Sequence, residues 1–292
     1  MNKSKVKGIL YICGTPIGNL EDITFRAIRI LKEVKLIAAE DTRHTRKLLN
    51  HYQIKTKVTS YYEYNKFKKA PYLVEMLKNG QDIALVSDAG MPGISDPGYV
   101  LINFALNNDI KVIPVPGVSA LITALVVSGL STDKFIFEGF LPRKIKERKR
   151  VFKELEDEDR TIIFYETPHR LKRALKDMLD ILGDRKIALA RELTKKYEEI
   201  MRGNLKRVLK EINEKEVKGE ITLIVEGKTR GKGNDTEDIL KDAGITEEYL
   251  KKLKKQGYSN KDIIKITQEE LNIPKNLIYK RLLEIKDYFN LS

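Results

Sequence analysis

Residues 82–98 read DIALVSDAGMPGISDPG, and they are the most informative part of the sequence about the fold. Its first part, Asp82–Ser87, is a short apolar run typical of a strand that is buried on both faces of a sheet. Its second part, Ser87–Gly98, is rich in Gly, Pro, Ser and Asp, which build turns and let backbone groups approach a ligand closely. A helical pattern, Pro97–Asn107, follows. A buried strand that leads through such a loop into a helix indicates an α/β sheet, whose ligands bind at the carboxyl ends of its strands.

The same alternation of strands and helices extends along the chain from Lys7 to about Glu226. The predicted strands are Gly8–Cys13, Lys35–Ala39, Asp82–Ser87, Lys111–Val115, Phe135–Glu138, Thr161–Tyr165, Lys186–Ala190 and Glu220–Val225. The predicted helices are Asp22–Leu31, Thr42–His51, Lys66–Lys78, Pro97–Asn107, Val118–Ser128, Lys144–Leu155, Pro168–Leu182 and Asn204–Ile212. Because the strands are continuous apolar runs separated by helices, the pattern predicts an α/β fold with crossover connections.

Changes in composition predict four segments of the chain. A turn-rich stretch near Leu130 to Asp133 divides an N-terminal α/β domain, residues 1–130, from a C-terminal α/β domain, residues 131–227. Residues 228–235 are polar and glycine-rich, which is typical of a linker. Residues 236–292 predict a small all-α, helix-turn-helix-like module. Its helices are expected at Thr246–Gln256, Ser259–Leu271 and Pro274–Tyr288, with Ser259 and Asp262 forming a capping box.

The composition excludes several classes of protein. No apolar run approaches the roughly 18–20 residues that span a bilayer, so no membrane association is expected. The single cysteine, Cys13, excludes an internal disulfide and a cysteine-rich metal site, and the three histidines lie in no ligand spacing. We therefore expect no metal. Without an export signal, a cytoplasmic location is expected.

The basic residues are clustered in two segments. The net charge of the 292 residues is +13, a value that a lysine-rich genome alone could produce. Their positions are more informative, because Arg43 to Lys69 holds eight Lys or Arg against one acid, and Arg143 to Lys153 holds seven against one. Such clusters favour a nucleic-acid partner. The candidate RNA-binding residues are Arg43, Arg46, Lys47, Arg143, Lys144 and Arg148.

Four loops after predicted strands carry glycine, proline and polar residues suited to ligand binding. They are residues 14–20, 87–98, 114–120 and 165–170. Each alone is typical of ordinary turns. The first is not a G-x-G-x-x-G motif, so the fingerprint of dinucleotide-binding enzymes is absent.

The order and spacing of these and other segments are more specific than any one loop. The segments are 15–20 (TPIGNL), 39–45 (AEDTRHT), 85–92 (LVSDAGMP), 95–98 (SDPG), 138–142 (EGFLP), 164–166 (FYE) and 190–195 (ARELTK). Over about Gly8 to Gly227, the chain resembles the tetrapyrrole-methylase superfamily, and within it the ribosomal RNA small subunit methyltransferase I group of 16S rRNA cytidine 2′-O-methyltransferases. It departs from that pattern at Met91 and Val118, in loops where the backbone is expected to make the contacts.

The resemblance implies S-adenosyl-L-methionine as cofactor, bound in the cleft between the two α/β domains. The cofactor-binding residues that it implies are Pro16, Gly18, Asp88, Ala89, Gly90, Ile94, Ser95, Ser119, Ala120, Tyr165, Ala190 and Ile221. It also implies a homodimer, and a partner in 16S ribosomal RNA or the small ribosomal subunit. The reaction would be attack of a ribose 2′-hydroxyl of a decoding-region cytidine on the activated methyl group, with no metal.

A general base would assist this reaction, because a ribose hydroxyl is a weak nucleophile. The catalytic candidates are Glu40, Asp41 and His44, since the second predicted strand ends just before them. Asp41 is equally suited to cap the following helix, and His44 to lie on its surface. Glu192 with Lys195 is a second candidate pair and Tyr165 a third candidate. Arg191 and Glu192 are expected to form a structural ion pair.

Three other functions remain open. A methyltransferase acting on a corrin or porphyrin precursor would share the fold and the cofactor, but the basic segments would then have no purpose. A cofactor-sensing regulator that binds DNA through its helical tail belongs to a different class, and the four loops spread over two domains disfavour it. A nucleotide-dependent oxidoreductase is a poor third reading without the glycine fingerprint.

Overall fold

Five strands and four helices build the first half of the molecule. The computed structural model describes residues 6–228 and 247–271, together with the single positions 275, 278, 279 and 282. The strands are β1 (Ile9–Cys13), β2 (Leu36–Ala39), β3 (Val58–Ser60), β4 (Ile83–Val86) and β5 (Lys111–Val115). The helices are α1 (Phe25–Glu33), α2 (Thr42–His51), α3 (Lys66–Lys78) and α4 (Gly98–Leu106). All strand pairs are parallel, in the order β3-β2-β4-β1-β5, as expected for an α/β fold.

Helices cover both faces of this sheet. Leu73 of α3 and Leu101 of α4 belong to the core on one face, and Leu31 of α1 and Leu48 of α2 belong to the core on the other. Every residue of β2 and β4 is buried, which explains why these strands are continuous apolar runs. The carboxyl ends of the strands therefore meet at one edge, where the loops described below begin.

The second sheet is mixed. It comprises β6 (Phe135–Phe140), β7 (Thr161–Glu166), β8 (Lys186–Arg191), β9 (Glu199–Asn204) and β10 (Ile221–Val225), and the helices of this half are α5 (Ala120–Val126), α6 (Ile145–Glu154), α7 (Pro168–Leu182) and α8 (Leu205–Asn213). The order is β6-β7-β10-β8-β9, and β6–β7 is its parallel pair. The last strand, β10, lies at the centre and pairs antiparallel with both neighbours. The fold is thus α/β in both halves. The prediction of crossover connections holds for the first sheet, whereas most strand pairs of the second sheet are antiparallel.

Two strands were not predicted from the sequence. β3 has three half-buried residues, and Thr59 and Ser60 give it little apolar character. β9 contains Arg202, Gly203 and Asn204 and lies at the edge of its sheet, paired with β8 alone. Edge strands can keep polar residues because one side faces solvent, so hydrophobic periodicity does not reveal them.

Helix α5 belongs by packing to the second sheet, although it precedes the predicted boundary at residue 130. Leu121 and Leu125 of α5 share a hydrophobic core with Ile163 of β7 and Ile224 of β10. Ile17, from the loop after β1, joins the same core. The two halves therefore share buried apolar surface, and the described residues 6–228 form one compact unit.

The described residues from 247 onward belong to a second compact unit. Its described helices, α9 (Glu247–Lys255) and α10 (Asn260–Leu271), agree with the first two predicted helices. The predicted capping box is present, since the Ser259 N–H donates to Asp262 Oδ2 at 3.1 Å and the Asp262 N–H donates to Ser259 Oγ at 3.2 Å. The predicted linker after Lys228, and the predicted third helix apart from single positions, lie outside the described residues. None of the described helices is long and apolar enough to cross a membrane.

Candidate functional site

Three loops at the carboxyl edge of the first sheet are tied together by backbone hydrogen bonds. The N–H of Gly14, just after β1, donates to the carbonyl of Val115 in β5 at 3.1 Å. Thr15 and Gly90 exchange two backbone hydrogen bonds, at 2.9 and 3.0 Å. The buried hydroxyl of Thr15 also donates to the carbonyl of Ser87 at 3.1 Å. The loops after β1, β4 and β5 therefore hold fixed positions relative to one another.

Two glycines make this close approach possible. A Cβ atom on Gly14 would lie 2.7 Å from Cα of Gly117, and a Cβ on Gly117 would lie 2.9 Å from Cα of Gly14. Because both obstacles are backbone atoms, no rotation of a side chain could relieve the clash. These positions therefore need glycine for space.

A cavity of about 290 Å³ lies between these loops and the second sheet. Its lining includes the sequence-predicted residues Ala89, Gly90, Ile94, Ser95, Ser119, Ala120, Tyr165, Ala190 and Ile221. Three other predicted residues do not line it: Pro16 is buried, Gly18 lies against Lys195, and Asp88 is engaged by the backbone N–H of Asp41 at 2.9 Å. Ile17, between the first two, lines the cavity instead.

Sequence reasoning missed a further group of lining residues. They are Ile17, Ser87, Met91, Asp96, Phe140, Glu166, Thr167, Pro168, Leu193, Gly219, Glu220 and Thr222. Most lie within loops or motifs already singled out, so the signal was present but did not indicate which side chains point inward. Gly219 and Glu220 are different, because they precede β10, whose central position in the second sheet was not predicted.

Among the three catalytic candidates, Glu40 is the one that lines the cavity. Its Oε2 accepts a long hydrogen bond from the Asp88 N–H at 3.4 Å. Burial raises the pKa of Glu40, because removal from water disfavours the charged carboxylate, and the nearby Asp88 and Asp96 act in the same direction. A carboxylate with a raised pKa at the cavity wall has the properties of a general base.

Asp41 and His44 occupy different environments. The Asp41 carboxylate caps α2, accepting from the Arg43 backbone N–H at 2.8 Å, and forms an ion pair with the Arg43 guanidinium at 2.7 Å. The hydrogen bond from Arg43 holds the pKa of Asp41 well below its usual range, so this carboxylate is a weak base. His44 is exposed on α2 and does not line the cavity. The capping interpretation of Asp41 is therefore the one that the contacts support.

Asp96 holds the long loop after β4 in shape. Its Oδ1 accepts from the backbone N–H groups of Gly93 at 2.8 Å and Gly98 at 2.7 Å. Burial raises the pKa of Asp96, and the backbone hydrogen bonds oppose that effect. Between them, Ser95 adopts a left-handed backbone with φ of 64°. This loop thus presents Ile94 and Ser95 to the cavity through a fixed turn.

Glu166, at the end of β7, contributes a buried carboxylate to the cavity wall. Its Oε1 accepts from the Thr167 N–H at 2.6 Å and pairs with Arg170 at 2.7 Å. Its Oε2 is buried and has no hydrogen-bond partner among the described residues. An unsatisfied buried acceptor is costly, so a ligand with N–H or O–H donors fits this wall.

Glu192 and Lys195 pair with each other at 2.9 Å, and Lys195 also pairs with Glu220 at 3.2 Å. Neither Glu192 nor Lys195 lines the cavity. The expected ion pair between Arg191 and Glu192 is wrong, because Arg191 pairs with Glu199 at 3.0 Å across the β8–β9 hairpin. Glu192 has a φ of 52°, a left-handed turn that follows β8 directly. Within the described parts of the chain, no three His, Cys, Asp or Glu side chains are grouped to hold a metal ion.

The prediction that Arg148 binds RNA is wrong. Its side chain is 3% exposed and lies on the inner face of α6, where its Nε donates to Asp177 Oδ2 of α7 at 2.9 Å. Lys149 also pairs with Asp177, at 3.5 Å. Helix α6 holds five basic residues in its ten positions, and the one on its buried face is neutralised by a partner. Arg143 and Lys144 are exposed.

Removal of Asp177 is expected to destabilise the fold. The Asp177→Ala variant leaves the Arg148 guanidinium buried without its partner, so we expect the free energy of unfolding to fall by about 3–5 kcal/mol, measured by chemical denaturation. The control is Glu147→Gln, which breaks the exposed pair of Glu147 with Lys144 and should change stability by less than about 1 kcal/mol. Equal effects of the two variants would show that the buried pair is not structural.

Comparison with known proteins agrees with this architecture. The family model described as tetrapyrrole (corrin/porphyrin) methylases matches residues 9–209. The chain belongs to the tetrapyrrole methylase family. It is a methyltransferase, and its matched region runs from β1 into α8, which includes most of the cavity wall.

Curated relatives match nearly the whole chain. A protein of Halalkalibacterium halodurans named ribosomal RNA small subunit methyltransferase I is 50% identical over 273 residues, which cover 94% of each chain. Proteins of the same name from Bacillus subtilis and Synechocystis are 47% and 45% identical, covering 93% and 96% of this chain. These matches extend beyond the family model into the second compact unit.

Solved structures support the fold. The match to uroporphyrin-III C-methyltransferase from Thermus thermophilus covers 75% of this chain and 94% of that protein's chain, at a TM-score of 0.53 and 19% identity. The match to diphthine synthase covers 75% of this chain and 90% of that protein's chain, at a TM-score of 0.57 and 14% identity. At this level of identity, the likeness concerns the arrangement of the strands and helices alone.

Proposed function

We propose that this methyltransferase transfers a methyl group from S-adenosyl-L-methionine to the ribose 2′-hydroxyl of a cytidine in the decoding region of 16S ribosomal RNA. The observation that carries the proposal is the match to relatives named ribosomal RNA small subunit methyltransferase I at 45–50% identity over at least 93% of this chain. Identity at that level over both compact units favours a shared substrate class as well as a shared fold.

The residues of the cavity fit the proposed cofactor. The cavity volume, about 290 Å³, is close to the lower end of the range for small-ligand pockets, and its walls combine apolar side chains with backbone groups. Ile17, Leu193 and the rings of Tyr165 and Phe140 provide apolar surface, with the two ring centres 5.4 Å apart. The unpaired Glu166 Oε2 supplies an acceptor for a donor-bearing ligand. When bound, the cofactor supplies a methyl group already activated by a positively charged sulfur, so the chemistry requires no metal.

Glu40 is the proposed general base. Its carboxylate would accept the proton of the ribose hydroxyl, and its raised pKa strengthens it for that role. The loops tied together by Thr15 and Gly90 would hold the reacting groups in line, which is a major part of catalysis for a displacement. The roles of Asp41 are to cap α2 and to hold Arg43 beside the cavity loop.

The proposed RNA contacts include five of the basic residues predicted from the sequence. Arg43, Arg46 and Lys47 are exposed on α2, directly after Glu40, and Arg143 and Lys144 are exposed before α6. Contacts of such residues with phosphates would position the RNA without reading its sequence.

We also infer a cytoplasmic homodimer. Apolar side chains are exposed on two helices, with Tyr99 of α4 at 69% and Val126 of α5 at 65% exposure. Light scattering of the purified protein tests this inference, and a monomer at micromolar concentration would contradict it.

The test of the proposed function uses purified protein, labelled S-adenosyl-L-methionine and small ribosomal subunits that lack the modification. Mass mapping should then locate one methyl group on the ribose of one decoding-region cytidine. Binding of the cofactor without transfer to RNA would overturn the proposal and favour a corrin or porphyrin precursor as substrate.

A further inference from the structure

A second, more open groove adjoins the cavity. It has a volume of about 570 Å³ and is lined by the first turns of α7 and by the segment before β10: Pro168, His169, Lys172, Arg173, Lys215, Glu216, Val217, Lys218 and Gly219. Pro168 and Gly219 line both the groove and the cavity. The groove is therefore continuous with the wall of the proposed active site.

The lining of the groove is strongly basic. Its cations are Lys172, Arg173, Lys215 and Lys218, of which Lys215 pairs with Glu199 at 3.2 Å, and Glu216 is its one acid. Arg173 has no ion pair within the part of the chain that the structure describes. Lys218 pairs with Glu216 at 3.2 Å, but both side chains are at least 75% exposed, so this pair is weak and is easily exchanged for another anion.

Helix α7 carries one basic side chain that is used in an internal ion pair and several that are exposed and can bind a ligand. Arg170 turns inward to pair with Glu166 at 2.7 Å. His169, Lys172, Arg173 and Lys176 are exposed, and their spacing of three, four and seven residues places them on one face of the helix. The Lys172 ammonium donates to the carbonyl of Asn213 at 3.2 Å, which directs it across the groove and leaves two of its hydrogens for another acceptor.

We propose that this groove binds the sugar-phosphate backbone of the RNA strand whose ribose enters the cavity. The inference rests on the proposed function and extends it, since none of the groove cations belongs to the two basic segments that the sequence singled out. A groove about twice the volume of the cavity suits a single strand, because proteins that select a particular RNA nucleotide bind single-stranded segments far more often than paired helices. Arginine and lysine side chains on both walls provide contacts to successive phosphates.

The test is a triple variant of the full-length protein, Lys172→Gln/Arg173→Gln/Lys218→Gln. Its matched control is Lys32→Gln/Lys35→Gln/Lys111→Gln, which removes the same charge from exposed positions in the last turn of α1 and at the amino ends of β2 and β5, away from the loops at the carboxyl edge of the first sheet. Three quantities are measured for each protein: KM and kcat with unmodified small subunits, and the salt dependence of binding to a single-stranded RNA oligonucleotide.

The groove variant should raise KM for subunits by about 10-fold or more, leave kcat within about 2-fold, and reduce the slope of log affinity against log salt by about 2. The control should match the unchanged protein. Equal KM values and equal salt slopes for the two variants would overturn the proposal. If the unchanged protein transfers no methyl to subunits, the proposed function fails, while the salt slopes with the oligonucleotide still decide whether the groove binds RNA.

Discussion

Replacement of Glu40 with glutamine is expected to lower kcat for methyl transfer by about 100- to 10,000-fold, the usual contribution of a general base. Glutamine has nearly the same size and can keep the hydrogen bond from the Asp88 N–H, but it cannot accept the proton of a ribose hydroxyl. The affinity for S-adenosyl-L-methionine should therefore change by no more than a few-fold. Single-turnover rates and calorimetric titration of the cofactor measure the two quantities separately.

The pH profile gives a second measure of the same role. A general base works in its deprotonated form, so the rate should rise with pH until it passes the pKa of Glu40, which burial raises above the ordinary value for a carboxyl group. The acidic limb of the profile should accordingly lie above the usual titration range of Glu, about 4.3, and should disappear in Glu40→Gln.

Substitutions at the neighbouring candidates are the controls for Glu40. Asp41→Asn retains an efficient N-cap residue, and His44→Gln changes an exposed side chain, so each should keep kcat within about 5-fold. A large loss of kcat in either variant, together with normal turnover in Glu40→Gln, would show that Glu40 is not the general base.

Replacement of Gly14 with alanine is expected to abolish measurable activity by displacing three loops at once. The new Cβ would lie 2.7 Å from Cα of Gly117 and 2.9 Å from its backbone nitrogen, so the backbone of one of these two loops must shift. A displacement of about 1 Å at a reacting centre costs about 100-fold in rate, and we expect a loss of at least that size in kcat/KM together with weaker cofactor binding.

The control for Gly14→Ala is Gly203→Ala. A Cβ on Gly203 in β9 would lie 3.2 Å from Cδ of the flexible Arg207 side chain, which can move aside. This variant should therefore keep both activity and melting temperature. Circular dichroism of Gly14→Ala distinguishes a local displacement of the loops from loss of the fold. Full activity in that variant would show that the close approach of Gly14 and Gly117 is not needed for catalysis.

Much of the fold could be predicted from local sequence patterns. The predicted bounds of α2, α3 and α7 agree with the structure because each helix combines apolar residues at helical spacing with a clear start, such as Asp41 before α2 or Pro168 at the first position of α7. The loops around the cavity were recognisable because glycine and proline follow apolar strands. These features depend on neighbours within a few residues.

What could not be predicted depends on partners that are distant in the chain. The burial of Arg148 requires Asp177, which is 29 residues away, and nothing in its own basic segment distinguishes it from exposed neighbours. Likewise, Glu40 and Asp41 are adjacent acids whose pKa values shift in opposite directions, one through burial and the other through the Arg43 hydrogen bond. Both residues could be chosen as catalytic candidates from the sequence, but only their surroundings in the fold distinguish the proposed base, Glu40, from the helix cap, Asp41.

The position of β10 at the centre of the second sheet determines when that half of the protein can fold during translation. β7 and β8 have no strand between them until residues 221–225 have left the ribosome. Until then, the apolar face of α5, made about 100 residues earlier, has no complete surface to pack against. The nascent chain must therefore carry exposed leucines through about a third of its synthesis, an interval in which this helix is open to aggregation or to binding by a chaperone.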